Sequence, residues 1–314
     1  MKIHSAAKIT SLAAAFTFVV VPAALSEDAH HAKPTSGHAI PVKSSSLSGA
    51  PGHKTAAVTE HGAKANAHDA VKMEKHASKA PAGKADHGGH AAWSYAGNSG
   101  PAHWGDLKTN YKTCKTGTTQ SPVDFRQPLT AGLPDIKFDY RISELTVLNN
   151  GHTVQVNVPA GSSMISGGKK FELLQFHFHT GSEHRVNGRQ YPIEMHLVHK
   201  SADGQLAVVG VFMEAGRKNI ALSEIWRHLP KNKAAPQTIA SVAINPRDLL
   251  PNDRKYFRYM GSLTTPPCSE GVHWHVMVEP LKISPNQIKT ASSIMGDNAR
   301  PAQPRLNRLV LQGK

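Results

Sequence analysis

Residues 175–179 read Gln175-Phe176-His177-Phe178-His179, polar and aromatic side chains in strict alternation. On a β-strand successive side chains point to opposite faces. Gln175, His177 and His179 therefore share one face, and Phe176 and Phe178 the other. Two imidazoles on a rigid strand, with two phenyl rings behind them, make half of a metal site. A second strand-like run, Glu194-Met195-His196-Leu197-Val198, offers a third imidazole. Three neutral histidines around zinc with one position left open is a catalytic arrangement, not a structural one.

Between these runs lies Asn187-Gly188, a strong two-residue hairpin signal. A hairpin centred there places His179 opposite His196 and brings the third imidazole within reach of the first two. Further strands are expected at 136–140, 145–148, 153–158, 171–179, 193–200, 206–214 and 272–281. They are rich in Val, Ile, Leu and Phe and bounded by Gly, Pro and Asn. Helix signals are few: 223–229, and 284–295 opening with Ser284-Pro285 as cap and first residue. The spacing between strands is mostly too short for helical crossovers. The expected class is mainly β: a large twisted, mostly antiparallel sheet with short surface helices.

The chain has 314 residues and a formal net charge of +14. Lys2 and Lys8, the apolar run from Leu12 to Pro22, and small residues at Ala23, Ala24 and Ser26 read as a secretory signal over 1–26. That run falls short of the roughly 20 residues of a spanning helix, and no later stretch reaches it, so stable membrane insertion is not expected. Residues 27–92 are Ala, His, Lys, Gly, Ser and Pro with no Phe, Trp or Tyr, too little apolar surface to offset ordering, and are expected to be a disordered linker. Nine of the chain's 20 histidines lie there. Such a tract can gather zinc, buffer protons, or serve only as a tether. The Lys and Arg are scattered and accompany no nucleic-acid-binding signature, so a solvated basic surface and no nucleic-acid partner are expected. The only cysteines, Cys114 and Cys268, form an even pair in a chain read as exported, and one disulfide is expected.

Seven blocks occur in order over residues 93–314: Gln120-Ser121-Pro122-Val123-Asp124, Asn149-Asn150-Gly151-His152, the Gln175 run, Ser182-Glu183-His184, the Glu194 run through His199, Tyr259 to Cys268, and Asn298 to Gln303. Together they resemble the α-class carbonic anhydrases of the bacterial, exported type. The resemblance implies that His177, His179 and His196 bind Zn²⁺ and that zinc hydroxide attacks CO₂ to give bicarbonate and a proton. It implies that Gln175 and Glu194 accept the free N–H groups of His177 and His196. It implies that Thr264 bridges the attacking hydroxide and Glu183, and that His152 shuttles the proton with Tyr95, Asn150 and Gln155 ordering water. Val198, Val208, Leu263, Thr265, Val272 and Trp274 match the substrate pocket, and Cys114 and Cys268 the disulfide of secreted and bacterial members.

The implied partners are CO₂, bicarbonate, water, and sulfonamide and anion inhibitors, with slow hydrolysis of activated esters as a side activity. The expected molecule is a monomer or homodimer, periplasmic or secreted. Thr180 stands where many members have Trp, and Thr153 is expected to restrict the swing of the His152 ring. Two other readings share the fold or the tail: a catalytically dead binding module, and a zinc-storage protein. The first loses one or more zinc histidines, and all three are present here.

Overall fold

The computed structural model describes residues 93–314; the expected signal (1–26) and linker (27–92) lie outside the described residues. Strands dominate, and 13 of them form one sheet. Its middle runs Ser143–Asn149, Val154–Asn157, Lys169–Thr180, Ile193–Lys200, Leu206–Ala215, Glu270–Met277 and Tyr256–Ser262. Most neighbours are antiparallel, as the short connections require. The exceptions include Leu206–Ala215, which pairs in parallel with Glu270–Met277 and with Leu281–Ile283. No helix among the described residues is long and apolar enough to cross a membrane.

The alternation of the opening stretch is realised as read. Phe176 and Phe178 are fully buried on one face, with Met195 and Leu197 opposite them on the neighbouring strand. Behind them the helix Ile220–Arg227 contributes Leu222, Ile225 and Trp226 to the same core. Trp226 meets Phe178 edge-on at 4.8 Å between ring centroids. That helix starts three residues before the expected 223, because Asn219 caps it by accepting from Leu222 N. Helix Pro285–Met295 begins at the expected cap, where Ser284 and Gln287 exchange side-chain and backbone hydrogen bonds.

The register differs from the expected one. At the turn, Val186 and Arg189 exchange backbone hydrogen bonds around Asn187 and Gly188, both at positive φ. Further out, Ser182 N donates to Tyr191 O and Gly181 N to Pro192 O. The outgoing strand thus carries Glu183, His184 and Arg185 where the return carries only Gln190. These two extra residues shift the ladder, so His196 pairs with His177, and Glu194 with His179. An even shift leaves every side chain on its own face, so the three imidazoles still converge.

Several strands carry no signal that the pattern could reveal. Ala234–Ile244 is an edge strand, mostly exposed, with two register shifts against Ser143–Asn149 and a proline at 236. Pro is tolerated at an edge, where no ladder partner needs its missing N–H. Asp124–Phe125 and Arg185–Val186 pair as a separate two-stranded ribbon, too short to show alternation.

Two consequences for stability follow. Truncation of Phe178 to Ala removes a fully buried ring from the centre of the core and is expected to cost about 3–5 kcal/mol in denaturant unfolding. A loss below about 1 kcal/mol would contradict the assigned face. His199 and His275, buried behind the sheet, are both held down to about 3 by burial. The unfolded chain therefore binds more protons than the fold below the ordinary histidine value of about 6.5. Stability is full above that pH and is expected to fall progressively down to about pH 3, read from denaturation midpoints along a pH series.

Candidate metal centre

His177, His179 and His196 present one ring nitrogen each within 4.8 Å of the others. Their ring centroids lie 4.6–5.4 Å apart. In each imidazole the remaining nitrogen faces an oxygen. Nδ1 of His177 lies 2.9 Å from Gln175 Oε1, Nδ1 of His179 lies 2.8 Å from the Asn298 carbonyl, and Nε2 of His196 lies 2.9 Å from Glu194 Oε1. These oxygens only accept, so each ring carries its proton there. The lone pairs are left on His177 Nε2, His179 Nε2 and His196 Nδ1, the three atoms that converge.

Buried polar atoms are normally paired. His179 Nε2 and Glu183 Oε2 are buried and have no hydrogen-bond partner. Both sit at the centre of the cluster, with Glu183 Oε2 3.5 Å from His179 Nε2 and 3.8 Å from His196 Nδ1. A cation there would satisfy the converging nitrogens, and three neutral imidazoles are a donor set that zinc accepts. Burial and the neighbouring imidazoles hold His177 well below the ordinary histidine range. Burial also lowers His179, against the pull of Glu183. For His196 burial acts downward, but Glu194 and Glu183 outweigh it and raise the ring. A proton and a metal would compete for the Nδ1 lone pair of His196, so metal binding there is favoured as pH rises.

His184, Glu194 and His196 form a second cluster of ligand-type residues. Its ligand-type atoms are already engaged with one another by hydrogen bonds. Glu194 Oε1 accepts from both rings, at 2.7 Å from His184 Nδ1, and Oε2 accepts from His184 N at 2.9 Å. His184 Nε2 lies 2.6 Å from Tyr259 Oη, which lies 2.7 Å from Ser121 Oγ. Burial alone would raise the Glu194 carboxyl, but His184 and His196 hold it well below the carboxylate range. The cluster therefore anchors His196. Gly210 pairs with His196 across the ladder, and a Cβ there would stand 3.1 Å from Glu194 Oε1, so the missing side chain makes room for the carboxylate.

Residues 99–314 match the family model of eukaryotic-type carbonic anhydrase. The chain belongs to that family. As a carbonic anhydrase it is an enzyme, a lyase that hydrates CO₂. A carbonic anhydrase from Nostoc sp. is 44% identical over 225 residues, 70% of this chain and 85% of that one. Among solved structures, an α-carbonic anhydrase from Thermovibrio ammonificans in complex with sulfanilamide is 44% identical, with a TM-score of 0.68. It aligns with 71% of this chain over all of its own. Carbonic anhydrase Cah3 from Chlamydomonas reinhardtii in complex with acetazolamide is 41% identical, with a TM-score of 0.62, over 71% and 99% of the two chains.

The residues expected to form the substrate pocket pack together beside the triad. Val208, Val272 and Trp274 are buried in one apolar cluster, with Val198 and Leu263 packed against it. The Trp274 ring lies 4.8 Å from that of His196. Thr264 is buried and Thr265 half-buried, in a loop closed by Leu263 N to Ser269 O and Cys268 N to Thr265 O. The expected disulfide is formed between Cys114 and Cys268 and ties this loop to the start of the domain. The expected hydrogen bond from Thr264 to Glu183 is not made among the described residues. Glu183 Oε1 accepts from Arg300 N at 2.8 Å, which turns Oε2 toward the imidazoles.

His152 stacks on Trp93, with centroids 3.7 Å apart and planes 8° from parallel. The Thr153 hydroxyl turns into the protein and donates to Phe178 O at 2.6 Å. Asn150 Oδ1 accepts from His152 N and Thr153 N, so it holds the turn itself. Gln155 pairs across the ladder with His177 and donates to Asn157 Oδ1. Tyr95 is raised above the ordinary phenol value by burial and by the charge of Glu183.

Four contributors went unassigned from sequence: the Asn298 carbonyl, Arg300, the His184–Tyr259 pair and Trp93. Three lie inside blocks that carried the resemblance, and Trp93 lies in the aromatic segment that opens the domain. His152 titrates below the ordinary histidine value because of partial burial and the cation of Lys233. The Lys233 methylenes run beside Gly151. Replacing Lys233 with Ala is expected to raise the His152 pKa toward the ordinary value, read by NMR titration of the imidazole. An unchanged or lower value would remove Lys233 as a cause.

Proposed function

We propose that His177, His179 and His196 hold Zn²⁺ for the reversible hydration of CO₂ to bicarbonate and a proton, and that His152 carries the proton out. The observation that carries this reading is the set of acceptors behind the triad, which leaves three lone pairs aimed at one point. When bound, zinc supplies a Lewis acid that makes water a nucleophile near neutral pH.

The chain's own residues do the rest. Gln175, Glu194 and the Asn298 carbonyl keep the imidazoles in one tautomer and orientation. Glu183 Oε2 has an open acceptor site, and we assign the Thr264 hydroxyl to bridge it to the reacting oxygen after a side-chain rotation. CO₂ is small and apolar, so the wall of Val198, Val208, Leu263, Val272 and Trp274 receives it without offering a competing hydrogen-bond partner, while Thr265 supplies a polar rim. The hydration proton must leave a buried centre. His152, half-buried and lowered in pKa, takes it over water ordered by Tyr95, Asn150 and Gln155 and releases it readily.

The complexes of related enzymes with sulfanilamide and acetazolamide support sulfonamide binding to the same centre. The signal-like N-terminus and the Cys114–Cys268 disulfide support an exported protein, in the periplasm or beyond. The histidines of residues 27–92 are of a type that gathers divalent metal, a role additional to the catalytic one.

Replacing His177 with Ala is expected to abolish stoichiometric zinc in metal analysis and to reduce stopped-flow CO₂ hydration to background. Normal hydration by that variant would overturn the assignment. Replacing His152 with Ala is expected to slow turnover about a hundredfold in weak buffer, with partial rescue by added imidazole. Turnover independent of buffer in that variant would exclude His152 as the shuttle.

A further inference from the structure

We propose that the side-chain amide of Asn298 is a positioning group that couples the metal ligand His179 to the turn carrying His152, so that one buried residue sets both the zinc site and the proton shuttle. This role rests on the zinc and shuttle assignments given above.

Asn298 lies just beyond helix Pro285–Met295 and is 1% exposed. Its main-chain carbonyl accepts from His179 Nδ1 at 2.8 Å. The side chain makes a separate set of bonds. Oδ1 accepts from Thr180 N at 2.7 Å, and Nδ2 donates to Phe178 O and to His152 O, each at 3.0 Å. A backbone N–H only donates and a carbonyl only accepts, so the amide has a single orientation that fits, and both of its hydrogens are used.

The sheet shows why an amide is needed there. Strand Val154–Asn157 pairs with Lys169–Thr180 only as far as Gln155 opposite His177. Past that point, the edge of the ligand strand at Phe178 and Thr180 has lost its neighbour. Asn298 offers a C=O to Thr180 N and an N–H to Phe178 O, the two kinds of bond that a neighbouring strand supplies. The Thr153 hydroxyl adds a donor to Phe178 O at 2.6 Å. Phe178 and Thr180 flank His179, so the amide grips the ligand strand on both sides of that ligand while its own main chain holds the ring.

The remaining bond, to His152 O, fastens the shuttle residue to the same amide. Trp93 holds the face of the His152 ring, and Asn298 holds its backbone. A buried amide that loses a partner has no water to replace it, so these bonds hold or fail together. Both functions they support are sensitive to placement. Groups that orient a metal ligand typically change metal affinity about 10–100-fold. A misplacement of about 1 Å in a reacting group can cost about a hundredfold in rate.

The test compares the zinc-loaded full chain with N298D and N298A. Aspartate keeps the size and the acceptor for Thr180 N but sets an oxygen against two carbonyls. Alanine removes the amide without that repulsion, and serves if N298D does not fold. Both are expected to release zinc into excess chelator about tenfold faster than the parent. At saturating zinc, both are expected to turn over about tenfold more slowly in weak buffer, with recovery on adding imidazole. Leu249→Ala truncates a buried core residue outside the triad and the His152 turn. It is expected to lower the thermal midpoint while leaving zinc release and buffer dependence at parent values.

Parent-like zinc release in N298D and N298A would overturn the proposal. So would faster release with unchanged buffer dependence, which removes the link to the shuttle. Equal acceleration in Leu249→Ala would mark general loosening and overturn it as well. His152→Ala run alongside separates the two readings. If it slows low-buffer turnover while the Asn298 variants match the parent, only the role of Asn298 fails; if it has no effect, the shuttle reading fails and the coupling with it.

Discussion

The structure depends on keeping three imidazoles neutral and aimed at one point while they are buried within 4.6–5.4 Å of each other. Unassisted, such a cluster is unstable in orientation, because each ring can present either nitrogen and can flip. The acceptor behind each ring removes that freedom. The three acceptors differ in kind: an amide oxygen, a main-chain carbonyl and a carboxylate. They come from Gln175 on the strand of His177, from Asn298 more than a hundred residues from His179, and from Glu194 on the strand of His196. The fold can be described as the means of bringing those oxygens to those nitrogens. The sheet supplies two of them through its period of two, and the segment after helix Pro285–Met295 supplies the third.

The charged acceptor needs support that the neutral ones do not. An ionised carboxylate in a dry interior is costly unless its lone pairs are filled. Glu194 has both oxygens occupied, by His196, by the ring of His184 and by the His184 backbone N–H. This explains the two-residue excursion in the outgoing strand. Without Glu183 and His184 a plain hairpin would still bring the histidine strands together, but Glu194 would lack its second donor. The open carboxylate oxygen beside the triad would also be lost. The irregular segment is therefore part of the site, and its even length is what allows it, since an odd insertion would send the histidines to the opposite face.

The same reasoning marks how far the sequence could be read. Strand faces, and the placing of Gln175 beside His177 and of Glu194 beside His196, follow from alternation, a local property of adjacent residues, while the acceptor roles of Gln175 and Glu194 are what the family resemblance implies. The sheet class follows from short spacings and apolar runs. The register does not, because Asn187-Gly188 fixes only the turn, and nothing in Thr180-Gly181-Ser182-Glu183-His184 shows how many residues leave the ladder. Edge strands such as Ala234–Ile244 are hidden because exposure removes the hydrophobic pattern that marks a strand. The Asn298 carbonyl is hidden more deeply: a main-chain oxygen carries no side-chain identity, and only the fold places it near His179.

Trp93 and Thr153 show how a local reading can choose the wrong neighbour. A β-branched residue adjacent to His152 suggests steric control of the ring, yet the two residues lie in a turn before Val154–Asn157, where Asn150 Oδ1 accepts from both backbone N–H groups. Thr153 accordingly turns inward to Phe178 O, and the restraint on His152 comes from an aromatic residue nearly sixty positions earlier. Stacking has a different consequence from a steric block. It holds the imidazole by its face and leaves the residue partly exposed. A proton carrier held by its face is fixed in place without being closed to exchange.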